Sequence, residues 1–163
     1  MRMVPSSVTV VTTDGPAGRH GATVSAFSSV SADPPTILVC LRAESRIAQL
    51  VTENGQLCVN VLSNASQDIA RRFAGQDDQM VSDRFSGIDW HGCSGTSPQI
   101  DGATIFSARV DQAVSTGSHR IFICRVVFAQ ISSAPPLAYL DGAYHSVIPQ
   151  GALSATGTCL RAA

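Results

Sequence analysis

The sequence predicts a mainly β fold, a closed or split antiparallel barrel of about six strands capped by two short helices. Three observations predict it. Strand-like runs alternate with turn residues at short spacing, the second half holds a long alternating hairpin, and only two stretches carry a helical period. The 163 residues suit one domain with one hydrophobic core, read here as residues 1–149, with an aperiodic tail over 150–163 expected to be disordered.

Val8–Thr13 is β-branched throughout and runs into Asp14-Gly15-Pro16, which carries turn chemistry, so it reads as a first strand. An N-terminal helix ahead of it, missing or shortened here, would fit so abrupt an opening. Gly21–Ser31 (GATVSAFSSVS) resumes strand-type residues but is rich in small hydroxyls. Asp33-Pro34-Pro35 blocks helix, and Thr36–Leu41 is an uninterrupted apolar run, the mark of a central strand. From Ser45 the period changes: Ile47, Leu50 and Val51 share a helical face, Ser45 can cap it, and Gly55 stands where a helix stops. Leu57–Leu62 returns to strand. Asn64–Ala74 returns to helix, with Ile69, Ala70 and Phe73 on one face and Gly75 after it. Gln76–Gln99 has little periodicity and reads as a long irregular segment over the barrel mouth.

Thr104–Val114 alternates, Phe106, Ala108, Val110 and Val114 falling on one side. Its partner Arg120–Ile131 places Phe122, Cys124, Val126 and Phe128 on one face. Ile121, Ile123 and Val127 make the other face apolar too, which predicts a subunit contact. Ser115–His119 is the hairpin tip, and Leu137–Leu140, Asp141-Gly142 and Tyr144 close the sheet.

Charged residues make up only 14% of the chain and the net charge is −1. A surface so short of charge predicts a homodimer, and without a Lys/Arg run neither nucleic acid nor an anionic membrane is an expected partner. No apolar stretch is long enough to span a bilayer and no leader pattern opens the chain, so a cytoplasmic location is expected. Cys40, Cys58, Cys93, Cys124 and Cys159 are widely spaced and read as buried thiols. The sequence has no G-x-G-x-x-G, P-loop, H-E-x-x-H or C-x-x-C motif, so dinucleotide binding of the Rossmann type, nucleotide hydrolysis and zinc lose their sequence support. His91-Gly92-Cys93 brings two potential ligands together without a third, and no metal is expected.

What remains is the hydroxyl-rich strand. Thr23, Ser25, Ser28, Ser29 and Ser31 could let backbone approach a flat ring and bind its oxygens, although serines on a strand more often form a solvated face. Ser45 and Arg46 at a helix start fit an anion site as well as they fit a simple cap.

The run VTVVTTDGPAGRHGATVSAFSSVSADPPTILVCLRAESR, then CVNVL, ARRF, DRF, GTSPQIDGA, GSHRIF and PLAYLDGAYH, occur in this order. From Val8 to His145 the chain resembles the flavin reductase family of two-component monooxygenases, the FMN-binding split-barrel group. The resemblance implies a six-stranded antiparallel split β-barrel of Greek-key type with short flanking helices. It also implies a homodimer with one flavin, FMN or FAD, per subunit, reduced by NADH or NADPH and released to a separate flavin-dependent monooxygenase. On this resemblance Thr23, Val24, Ser25, Ala26 and Ser31 map to the flavin-binding strand and Ser45 and Arg46 to its phosphate side. Gly117, Ser118 and His119 map to the nicotinamide-side tip, with His119 positioning the hydride donor and Tyr144 lining the same mouth. The chain departs from the family pattern at Ser118, where Asp is common, and at Arg42, where Asn is common. Two alternatives stay open at this point: a reductase of the same fold serving another acceptor such as a cobalt corrinoid, and a flavin-binding protein without turnover.

Overall fold

The computed structural model describes residues 2–93 and 95–150. Cys159 and the expected disorder of the tail beyond residue 150 lie outside the described residues. The strands are β1 (Ser6–Ser7), β2 (Thr9–Thr13), β3 (His20–Val24), β4 (Phe27–Ala32), β5 (Pro35–Arg42), β6 (Gln56–Val61), β7 (Trp90–His91) and β8 (Gln99–Ile100). They continue with β9 (Thr104–Thr116), β10 (His119–Gln130), β11 (Leu137–Leu140) and β12 (Ala143–Ser146), and the helices are α1 (Arg46–Asn54) and α2 (Gln67–Phe73). No helix among the described residues is long and apolar enough to cross a membrane.

The main sheet runs β3-β2-β6-β9-β10-β5-β4, antiparallel at every step. Its two edge strands are one piece of chain: β3 pairs with β2, bends at Ser25-Ala26, and continues as β4 on β5, where the Cys40 amide donates to the Ala26 carbonyl (2.9 Å). Counting β3 and β4 as a single bent strand closes the sheet into a six-stranded barrel, as the sequence predicts. Bent this way, one strand bonds to both neighbours with different halves.

The pleat sorts the core in two. Val11, Val39, Leu57, Val59, Ala108 and Phe122 point inward and meet Ile47, Ala48 and Val51 of α1, which plugs one end. The residues between them, Val10, Cys58 and Ile105, face outward and are covered by α2, Phe85, Ile100 and Leu137. β2 is therefore buried at every position, and its threonine hydroxyls must find acceptors: Thr9 donates to the Val24 carbonyl (2.6 Å) and Thr13 to that of Gln56 (2.7 Å).

Several expectations are corrected. The segment after α2 does not lie over the barrel mouth, which α1 fills. It packs on the outer face, where Phe85 stacks edge-on to Phe73 (5.0 Å) and Arg84 donates to the carbonyls of Gly21 and Phe73 (3.1 and 2.9 Å). It also contains the short β7–β8 ribbon. The second helix starts at Gln67 rather than Asn64, because Ser63 bridges to Pro136 and the Asn64 amide donates to the Pro135 carbonyl. Two bulges shift the hairpin's parity. Asp111 is skipped between the pairs Gln112–Ile123 and Val110–Cys124, and Val127 between Val126–Ala108 and Phe128–Ser107. Val114 and Phe128, which share a face with Val110 and Val126 in the alternating pattern, lie beyond the bulges, where every position of 111–118 and 127–131 is exposed, at 47% and 46% for these two. Of the thiols, Cys58 and Cys124 are buried, Cys40 is half-buried and Cys93 is exposed.

Candidate active site

The bend that closes the barrel also builds the site. At Ser25-Ala26 the chain leaves one neighbour before joining the other, so among the described residues neither amide N–H, nor the Ser25 hydroxyl, has a protein partner, and both residues are exposed. Opposite lies the end of β5, Cys40 to Arg42. Arg42 pairs in register with His119, the first residue of β10, which brings together side chains 77 positions apart. The turn Gly117-Ser118 holds this corner: Gly117 takes φ +54°, a conformation L side chains rarely adopt, the Ser118 carbonyl accepts from the Ala43 amide (3.0 Å), and the Ser118 hydroxyl meets His119 Nδ1 (2.9 Å).

The start of α1 forms the third wall. The Ser45 hydroxyl accepts from the Ala48 amide and donates to the Arg42 carbonyl (2.6 Å), so Ser45 is the cap the sequence predicts. The first-turn amides of Arg46 and Ile47 have no protein acceptor and lie at the positive end of the helix dipole. Ala22, Thr23–Ala26, Cys40–Arg42, Ser45, Ile47 and His119 together line an open groove of about 290 Å³.

Not every residue singled out in the sequence turns its polar group into the groove. The Thr23 hydroxyl donates to the Ala70 carbonyl (2.7 Å), tying β3 to α2. Ser31 is exposed on β4, and its hydroxyl closes the next turn through Asp33. Tyr144 lies in a neighbouring cavity of about 210 Å³ that shares Thr23, Val24 and Ser25 with the groove; it packs edge-on to Tyr139 (5.4 Å), and burial pushes its phenol pKa up. Arg46 turns away from the groove into a third cavity of about 600 Å³, with Arg19, His20, Asp78, Asp83 and Arg84. Burial, then the charges of Arg84 and Arg46, lower the His20 pKa to about 4 against a weaker opposing pull from Asp78. The hydrogen bond from Arg84 holds the Asp78 carboxyl below its ordinary range. Sequence reasoning does not single out His20, Arg19 or Arg84 as site residues; the only signal is their presence in the motif runs beside Gly21 and Phe85. His91 has a carboxylate partner, Asp101 at 2.6 Å.

The groove offers unpartnered N–H donors, a hydroxyl, a helix start and small side chains along an open cleft, which is the donor set that the oxygens and ring edge of a flavin need. Residues 1–147 match the family described as flavin reductase like domain. The chain belongs to that family. Membership makes it a flavin oxidoreductase, and the six-stranded barrel is the family's fold. FMN reductase (NADH) RutF of Stutzerimonas stutzeri (strain A1501) is 38% identical over 149 residues, covering 90% of this chain and 84% of the relative. The NADH:FAD oxidoreductase SgcE6 of Streptomyces globisporus C-1027, solved with NAD and FAD fragments, superposes with a TM-score of 0.82 at 28% identity, over 91% of this chain and 89% of that one. Nitrilotriacetate monooxygenase component B from Mycobacterium thermoresistibile gives a TM-score of 0.81 at 27% identity, over 91% and 83%.

Proposed function

We propose that the chain uses NADH to reduce FMN or FAD held in this groove, and that the reduced flavin leaves for a separate monooxygenase. The observation that carries the reading is the convergence of the unpartnered Ser25 and Ala26 donors, the start of α1 and His119 on one cleft. When bound, a flavin accepts at N5 the hydride given up by nicotinamide C4. The protein's part is alignment. The Ser25 and Ala26 amides and the Ser25 hydroxyl hold the ring's polar edge. The α1 start, with Ser45 as its cap, receives the phosphate. His119, steadied by the Ser118 hydroxyl and the Gly117 turn, orients the nicotinamide at the open side. An open, shallow groove supports a flavin that comes and goes, as delivery to a partner requires; the component B relative supports a monooxygenase in that role.

The working unit in this proposal is a homodimer in the cytoplasm. The apolar stretch Val114, Val127, Phe128 and Ile131, exposed along the β9–β10 hairpin, is the face expected to meet the second copy. The test is loss of NADH absorbance with FMN, FAD or no flavin added in large molar excess over protein. Oxidation that requires flavin and turns over many equivalents supports the reading; no oxidation with either flavin overturns it.

A further inference from the structure

At the hairpin tip the chain has Ser118 where the family commonly has Asp, and the exchange changes what His119 can do. The Ser118 hydroxyl lies 2.9 Å from His119 Nδ1. A carboxylate can only accept a hydrogen bond there, whereas a hydroxyl can also donate one. His91 shows the carboxylate arrangement in the same chain: its Nδ1 meets Asp101 at 2.6 Å, and an uncharged ring held so carries its proton on Nδ1. His119 has no such partner. No carboxylate forms an ion pair with it among the described residues, and Glu44, in the loop after β5, is exposed and unpaired.

The neighbours of the ring decide which way the hydroxyl bond runs. His119 is flanked in register by Arg42 on β5 and Thr116 on β9. A guanidinium only donates, and that of Arg120 is turned away to the Thr52 hydroxyl (2.8 Å). The Ser118 carbonyl is taken by the Ala43 amide (3.0 Å), which fixes the turn and leaves the hydroxyl facing the ring. Its only hydrogen bond among the described residues is the one to Nδ1, so with the opposite polarity its proton would have no protein acceptor. When Ser118 donates, Nδ1 is bare, the ring's own proton sits on Nε2, and Nε2 is the nitrogen left for the groove that His119 lines.

We propose that Ser118 fixes the His119 proton on Nε2, so that the uncharged ring donates the hydrogen bond that orients the carboxamide of the hydride donor. Ser118 is thereby a positioning residue that acts through His119. With Asp in its place the uncharged ring would present a bare Nε2, and only the imidazolium could donate there. The serine frees alignment from protonation of the ring, so this chain keeps its donor at a pH where a carboxylate-held histidine loses it. This rests on reading His119 as the residue that meets the nicotinamide.

The experiment has two readouts on wild type, Ser118→Asp and Ser118→Thr. The first is the nitrogen-15 chemical shifts of the His119 ring in flavin-free protein at alkaline pH, assigned by their loss in His119→Gln. Wild type and Ser118→Thr are expected to show a protonated Nε2 and a bare Nδ1, and Ser118→Asp the reverse. The second is the rate at which NADH reduces bound FMN at about pH 6 and about pH 9, either side of the ordinary histidine range. Relative to wild type, Ser118→Asp is expected to do about tenfold worse at the higher pH than at the lower, the worth of one hydrogen bond. Ser118→Thr should follow wild type within about twofold at both, since its hydroxyl donates in the same way. A wild-type ring with its proton on Nδ1, or a Ser118→Asp rate that stays in constant ratio to wild type, overturns the proposal and leaves the role of His119 standing. A His119→Gln rate equal to wild type at both pH values overturns that role and the proposal with it.

Discussion

Gly21→Ala adds one methyl group to the strand that carries the site, and the structure sets its cost. A Cβ at this buried position would stand 2.5 and 2.8 Å from Phe73 Cε1 and Cδ1, and 3.3 Å from Phe85 Cζ. Ordinary carbon contacts lie at about 3.5–4.0 Å, so a gap of about 1 Å has to open. Phe73 cannot supply it, since it is fully buried and wedged edge-on against Phe85, itself 4% exposed. Overpacking of this kind costs about 1–3 kcal/mol, and the rigidity of both rings argues for the upper half of that range. In a domain of this length about 2–4 °C is lost per kcal/mol, so the melting temperature should fall by roughly 5–10 °C. The assay is urea unfolding with thermal melting, for Gly21→Ala, Phe73→Leu and the double variant. The smaller ring-free side chain should take back at least about 1 kcal/mol of the damage in the double variant. A melting temperature within about 1 °C of wild type, or strictly additive effects, would refute the packing argument.

Asn60 is fully buried on β6, accepting from the Ile100 amide (2.7 Å) and donating to the Val10 carbonyl (3.0 Å) and Thr12 hydroxyl (3.2 Å); Asn60→Ala should cost about 2–3 kcal/mol in urea unfolding by stranding those groups. His20 has a folded pKa of about 4 against an ordinary 6.5, lowered by burial and by Arg84 and Arg46 with Asp78 opposing, so the unfolded chain takes up its proton first. Its contribution to stability is therefore whole above pH 6.5 and lost as pH falls toward 4; urea midpoints at pH 7 and pH 5 should converge in His20→Gln. Burial pushes the Cys58 and Cys124 thiols up to about 11 and about 12, so alkylation mapped by mass spectrometry at pH 8 should leave both untouched and label exposed Cys93. Cys40, in the groove wall, should be labelled without FMN and protected with it; labelling indifferent to FMN would count against the groove.

The parts of this fold legible in the sequence are those decided by short-range chemistry. β2 with its turn, the cap at Ser45, the stop at Gly55 and the long hairpin all follow from neighbours a few residues apart. The bulges at Asp111 and Val127 leave no mark in an alternating pattern that continues straight through them, so the pattern does not tell that the hairpin beyond them is exposed on both faces. The 76–99 segment lacks a period because isolated anchors, Phe85 and Arg84, fasten it to the barrel. The site divides the same way. Thr23 to Ala26, Ser45 and His119 line one groove. Tyr144, Ser31 and Arg46 lie elsewhere, because the bend at Ser25-Ala26 and the turn of α1 decide which way successive side chains face. The pocket around His20 gathers residues from β3, α1 and the 76–99 segment, a meeting that no local pattern announces.

In the proposed reaction this groove aligns a nicotinamide against a flavin, with His119 at the point of contact. Rapid mixing of FMN-loaded protein with NADH, following loss of flavin absorbance, measures that step directly in wild type and His119→Ala. Flavin reduction is expected to slow by at least about tenfold in the variant, with FMN affinity within about twofold of wild type. Equal rates of flavin reduction in the two proteins would contradict it.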